Sequence, residues 1–161
     1  MTHIRNIQPQ EIPLLDDFLY EAIFIPQGVV PPPRSIIEQE DLQLYVRGFG
    51  ESSHDHCLVA ECDGKIVGAV WVRVMDDYGH VDNQTPSLAI SLYPDYRGQG
   101  IGTQLLHQML ELLRQKGYAQ VSLSVQKENY ALRVYQKAGF EIVKDRGEEL
   151  LMLAQLPPPR C

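Results

Sequence analysis

This 161-residue chain has no stretch approaching the ~20 consecutive apolar residues that a membrane-crossing helix needs. Its apolar run from Ile12 to Ile25 is interrupted by Asp16, Asp17 and Glu21, and residues Met1 to Gln8 carry no signal-peptide pattern. A soluble protein with no membrane partner is expected. Cysteine is scarce, at three residues. Cys57 and Cys62 fall at odd and even positions of one expected strand, so their side chains point to opposite faces and cannot bridge. With Cys161 at the last position, no disulfide framework exists, and a reducing, cytoplasmic location is expected.

Positive charge is in deficit as well. Fourteen Lys and Arg against 21 Asp and Glu give a net charge of −7, which excludes a general nucleic-acid binder and is compatible with a cationic amine substrate. Zinc-like ligand spacing is lacking. His54-Asp55-His56-Cys57 puts two histidines on one side of an extended segment and the cysteine on the other, with no second cluster to complete four ligands, so no metal is expected. There is also no internal repeat and no long linker. One domain over residues 1–156 with a proline-rich tail at 157–161 follows.

What is present is an ordinary globular composition, 44% hydrophobic and 22% charged. Ile4–Ile7 reads as a first strand. A helix opens at Gln8-Pro9-Gln10-Glu11, with Pro13 in its first turn and Ile12, Leu15, Leu19, Ala22 and Ile23 as its apolar stripe. After the breakers Pro26-Gln27-Gly28 and Pro31-Pro32-Pro33, the capping-box sequence Ser35-Ile36-Ile37-Glu38 predicts a second helix to about Arg47. Residues 57–62 and 65–75 are two strands joined by Asp63-Gly64, a strong hairpin signal. Further strands are expected at 87–93 and 118–126, with a helix between them ending at Lys116. A helix from Asn129 and a closing hairpin at 141–146 and 150–153 complete the order. The pattern β-α-α-β-β-β-α-β-α-β-β predicts an α/β fold: a mixed, largely antiparallel sheet with helices on both faces.

The most informative passage is Arg97-Gly98-Gln99-Gly100-Ile101-Gly102, between an expected strand ending in Leu92-Tyr93-Pro94 and an amphipathic helix with Ile101, Leu105, Met109 and Leu112 at helical spacing. A strand, a glycine turn and a helix start build an anion site: glycines admit close approach, unpaired N–H groups point outward, and the helix dipole adds partial positive charge. Arg97 adds a cation at the mouth. The dinucleotide spacing G-x-G-x-x-G fails because Thr103 stands where the third glycine belongs, and the nucleotide P-loop fails because no lysine follows. About 30 residues on, Val121-Ser-Leu-Ser-Val125 alternates as a strand, and Asn129 caps a helix carrying Ala131, Tyr135 and Ala138 on one face before Gly139-Phe140.

The glycine loop after a proline-broken strand, followed by Asn-x-x-Leu-x-x-Tyr-x-x-x-Gly-Phe from Asn129, resembles the acetyl-coenzyme A site of the GNAT superfamily of N-acetyltransferases. The resemblance covers Cys57 to about Leu153, and the element order matches the acyl-CoA N-acyltransferase fold. It implies acetyl transfer from acetyl-coenzyme A, with no metal, to a small-molecule or peptide amine by direct attack in a ternary complex. Homodimerisation is left open.

By the same resemblance, the thioester sits in a splay between the fourth and fifth strands near Leu92 and Tyr93, where Pro94 helps part them and a free N–H near Leu92 polarises the carbonyl. The pyrophosphate rests on amides of Gln99, Gly100, Ile101, Gly102 and Thr103, beside Arg97 and Gly98. Asn129 reaches the pantetheine arm, and Tyr135 is the general acid for the departing thiolate. The fourth strand offers Ser87 and Ser91 but no carboxylate, which leaves the base unassigned, with Glu21, His80 and Asp82 as candidates and a water chain as the alternative. That gap keeps a second reading open, a non-catalytic acyl-coenzyme A binding or sensing protein of the same fold. The segment from Phe24 to Pro33 is the expected acceptor lip.

Overall fold

The structure is a computed structural model that describes residues 2–75 and 81–158. Seven strands form one sheet: β1 (Thr2–Asn6), β2 (His56–Cys62), β3 (Lys65–Arg73), β4 (Ser87–Leu92), β5 (Gln120–Gln126), β6 (Glu141–Asp145) and β7 (Glu149–Gln155). Their spatial order is β1-β2-β3-β4-β5-β7-β6. All neighbours are antiparallel except β4 and β5, which run parallel and are linked through the helix α3 (Ile101–Gln115). A parallel pair requires such a crossover. The expected mixed sheet with helices on both faces is the observed one.

Side-chain alternation along the strands divides the core in two. Ala69 and Trp71 of β3 face α1 (Leu15–Glu21), where Leu15, Phe18 and Leu19 are buried. Val70 and Val72 face α3, whose Ile101, Leu105, Leu106, Met109 and Leu113 are buried with Phe140. Burying each such side chain contributes roughly 1.5–3 kcal/mol, so α3 anchors the sheet firmly. The buried stripe uses Leu113 where the sequence spacing indicated Leu112, because Leu112 is turned partly outward. Asp63 and Gly64 adopt φ +51° and +83°, the left-handed pair a tight hairpin needs.

The first two expected helices are shorter than their sequence patterns. Pro9–Leu14 is a 3-10 segment, and α-geometry begins only at Leu15. Pro13 has no N–H to donate four residues back, and its ring crowds that turn. The expected helix from Ser35 to Arg47 is a 3-10 turn at Arg34–Glu38, an extended Gln39 at ψ 142°, and the single turn α2 (Glu40–Gln43). Ser35 caps nothing. Carbonyls beyond α2 are taken by β3: Trp71 Nε1 donates to Tyr45 at 3.0 Å, and Arg73 Nη1 to Arg47 at 2.8 Å. Arg73 also pairs with Asp55, whose side chain is 1% exposed, and so pins this irregular segment to the sheet.

The remaining shifts are small. β5 starts at Gln120 because Tyr118 is drawn off to a histidine pair, its hydroxyl 2.7 Å from His54 Nδ1 and 3.1 Å from His56 Nε2. The two histidines therefore converge on a phenol. Cys57 and Cys62 are free thiols on opposite faces, and no helix among the described residues is long and apolar enough to cross a membrane. His80 and Cys161 lie outside the described residues.

Candidate active site

The β4–β5 join is a single bridge. Ser87 pairs with Ser122, whose N–H donates to the Pro86 carbonyl at 3.0 Å, and the ladder records no further pair between these strands. The strands thus part directly after Ser87, well before Pro94, which was expected to separate them. Pro94 instead opens a 3-10 turn, Pro94–Tyr96. Between the parted strands lies a cleft of about 790 Å³.

The direction of the β4 peptide groups follows from its other edge. Tyr93 N–H donates to the Val67 carbonyl at 2.9 Å, next to the register pair Gly68–Leu92. Alternation of an antiparallel ladder then turns the N–H groups of Ile90 and Leu92 away from β3, toward the gap. The amide of Tyr93 is spent on β3 and does not enter the cleft. Its side chain lies on the α1 face, tilted against Phe18 and donating to Asp17 Oδ2 at 2.9 Å. Burial and then Asp17 push its phenol up to about 12.

Beyond β4 the chain makes the expected glycine loop. Gly98 and Gly100 have φ +74° and +84°, a backbone that disfavours other residues. Gly100 is the N-cap of α3, with no side-chain cap, and its carbonyl accepts from Gln104 at 3.1 Å. That leaves the first-turn amides of Ile101, Gly102 and Thr103 without intrahelical acceptors. Gly98 and Gly100 have nothing within 4 Å of where a Cβ would stand, so the loop's outer side is open. Gln99 Nε2 ties the loop back to the Asp95 carbonyl at 3.1 Å. The loop does not line the cleft. It lies on the open surface, past the end of β4.

Arg97 is placed differently from the free cation expected at the loop mouth. Its Nε donates to the Leu92 carbonyl at 3.1 Å, and its Nη2 reaches both the Glu21 carbonyl and Glu21 Oε1. It fastens the loop to the end of α1. The same contact takes up Glu21, which is outside the cleft lining. Asp82 is exposed, accepts from Gln84 N–H, and lies in a separate surface hollow with His54 and Tyr118. Neither described base candidate stands in the cleft.

Asn129 and Tyr135 do. Asn129 Oδ1 accepts from Ala131 N–H at 2.9 Å, fixing the start of α4 (Ala131–Lys137), one residue later than a direct cap would. Tyr135 packs edge-on to Phe140 at 6.0 Å and lines the cleft. Burial alone pushes its phenol up to about 12, so it holds its proton at neutral pH. Sequence reasoning missed two features. Ser124, also in the cleft, has a buried Oγ with no hydrogen-bond partner among the described residues. Gly68 gives Leu92 its room. The polar half of the alternation in β5 was a visible signal for Ser124.

Comparison with known proteins converges on one family. The model of the acetyltransferase (GNAT) family matches residues 19–140. A Bacillus subtilis relative, provisionally named a [ribosomal protein bS18]-alanine N-acetyltransferase, is 33% identical over 113 residues, 64% of this chain and 70% of that protein. Of several further curated relatives the chain spans only 30–47% of their length. The paia N-acetyltransferase of Thermoplasma acidophilum, solved with coenzyme A, superposes with a TM-score of 0.70 at 19% identity, over 96% of this chain and 99% of that one. An acetyltransferase fold from Salmonella typhimurium, solved with acetyl-coenzyme A, gives 0.69 at 17% identity, over 100% and 97%. These two likenesses establish the fold, and the family match over most of the chain establishes the kinship: this protein belongs to the GNAT family of acetyltransferases.

Proposed function

We propose that the chain transfers an acetyl group from acetyl-coenzyme A to a primary amine by direct attack, with both substrates bound at once. The observation that carries this reading is the single-bridge join of β4 and β5. It opens a cleft lined by Tyr135 that runs along β4 toward the glycine loop. The residues fit the cosubstrate: open first-turn amides at the loop suit a pyrophosphate, and peptide groups turned into the gap suit the amides and carbonyl of an extended thioester arm. No part of the fit calls for a metal.

When bound, the thioester supplies the electrophilic acetyl group. The amides of Gly100 to Thr103 hold the phosphates, Asn129 lies along the pantetheine path, and the Leu92 N–H polarises the carbonyl. As the C–N bond forms and the C–S bond breaks, Tyr135 gives its proton to the sulfur and regains one from solvent. The surplus proton on nitrogen leaves through water. An amine with a pKa near 10.4 must arrive neutral or lose a proton in the cleft, at a cost of roughly 4–5 kcal/mol at pH 7. With Glu21 tied to Arg97, a water route suits this site better than the candidates read from sequence.

A thiol-release assay over an amine panel tests the reading. Turnover of at least one amine, with acetyl-coenzyme A saturable, is expected. Saturable binding with no turnover on any amine would establish instead a non-catalytic binder of the same fold. The free Cys57 and Cys62 thiols suit a reducing compartment such as the cytoplasm.

A further inference from the structure

We infer that the acceptor is a primary amine carried on an apolar arm, with Ser124 Oγ and the Glu149 carboxylate receiving its amino group. The inference rests on the transferase reading above and names the substrate class for the same site.

Alternation along β5 puts Val121, Leu123 and Val125 against α3. Ser124 and Gln126 therefore face the other way, to the side of the sheet carrying α1 and α2. On this side the cleft wall is supplied by Ile23 and Phe24, just past α1, and by Ile36 and Leu42 around α2, together with Asp41 and Tyr45, whose polar groups each already have a partner. Four apolar side chains would leave the inner amines of a polyamine, or the hydroxyls of an aminosugar, without partners. They suit an alkyl or aromatic arm.

At the strand side of that cleft the character changes. Ser124 Oγ is buried and has no partner among the described residues, a state that is costly unless something fills it. The register places Glu149 opposite Gln126, one step along from Ser124, which pairs with Leu151. Glu149 and Ser124 hence share a face, and both line the cleft. Gln126 Nε2 donates to Glu149 Oε1 at 3.3 Å, which steadies the carboxylate. Glu149 Oε2 is the atom placed to receive an ammonium. Ser124 Oγ is placed to accept an N–H from the neutral amine, which directs the nitrogen lone pair toward the gap between β4 and β5. Ser124 is a positioning residue in this scheme, and Glu149 supplies the attraction for the cationic form.

The full-length chain is tested with phenethylamine, the amide of a phenylalanyl dipeptide, spermidine and phenethyl alcohol as probes. Calorimetric binding in the presence of coenzyme A is measured alongside thiol release. Phenethylamine or the dipeptide amide should bind at least about tenfold more tightly than spermidine or the alcohol, because only they satisfy both the wall and the charged end. The better of the two tells a free amine from a chain terminus. Glu149→Gln should raise the amine KM about tenfold with the acetyl-coenzyme A KM unchanged. Ser124→Ala should lower kcat/KM about tenfold, and Ser124→Thr should restore much of it. Spermidine preferred over both arylalkyl probes, or variants that leave amine KM and kcat/KM unchanged while turnover persists, overturns the inference and leaves the transferase reading standing. Probe binding that Glu149→Gln weakens, with no thiol release from any amine, upholds the site and overturns the transferase reading.

Discussion

Leu92 lies across Gly68 on the neighbouring strand, so closely that a Cβ at position 68 would stand 2.1 Å from Leu92 Cδ2 and 3.0 Å from the Ser91 carbonyl oxygen. Leu92 is the last residue of β4, and its N–H, like that of Ile90, is turned toward the gap between β4 and β5. The space left by a missing methyl group thus sets where the proposed donor to the thioester carbonyl sits.

Gly68→Ala should destabilise the fold by about 1–3 kcal/mol through overpacking and should displace Leu92. A denaturant midpoint reports the first effect. A fall in kcat beyond that explained by lost folded protein reports the second. A variant as stable and as active as the parent would remove Gly68 from the account of the site.

Gly100→Glu should abolish coenzyme A binding with the fold intact. The side chain projects into open space at the loop, where it brings negative charge to the proposed phosphate position, and the left-handed backbone adds roughly 1–3 kcal/mol of strain. Thermal protection by coenzyme A, present in the parent and lost in the variant, is the expected result. Undiminished protection would place the phosphates elsewhere.

Tyr135→Phe should lower kcat by about 10²-fold while cosubstrate affinity stays near that of the parent. With the phenol pushed up to about 12, its ionisation lies far above the working range. An alkaline fall in activity below pH 10 would belong to another group. A parent-like rate in single-turnover measurements would make Tyr135 a packing residue only.

Glu21→Gln should leave the shape of the pH–rate profile unchanged, since the carboxylate faces Arg97 rather than the cleft. The Arg97 side chain is 50% exposed, so breaking this pair should cost little, within about 1 kcal/mol. Loss of the acid limb in this variant would restore Glu21 as the base.

His56 contributes a pH dependence to stability. Burial first, then Lys116 and His54, holds its imidazole below the usual 6.5 in the folded chain. The unfolded chain therefore binds more protons in the window just below 6.5, and stability is lost as pH falls through it. The melting temperature should drop between pH 7 and 5.5, and His56→Gln should flatten that part of the curve.

Most of the strands were legible in the sequence because their alternation and turn residues are local signals. Asp63-Gly64 and the glycine loop were read correctly as turns for the same reason. The region from Pro9 to Phe49 was less legible. Its apolar spacing is helical, but Pro13 and the extended Gln39 interrupt it, and Trp71 and Arg73 of a distant strand capture the carbonyls that would have continued the second helix. The fate of Arg97 was equally hidden, because its partner Glu21 is 76 positions away. Ser124 was visible as the polar half of an alternating strand. That it is buried and unpartnered depends on where β4 and β5 separate, and nothing local encodes that point.

One backbone rung at Ser87 and Ser122 couples strands β1 to β4 with strands β5, β7 and β6. The sheet is in effect two leaves of a clasp, held edge to edge at one end and sprung apart at the other. A cosubstrate threaded between them, as proposed above, would supply its own amides as substitute rungs, so occupancy would stiffen both leaves together. Amide hydrogen exchange at Ile90 and Leu92, slow only when the clasp is filled, would register that closure without any chemistry taking place.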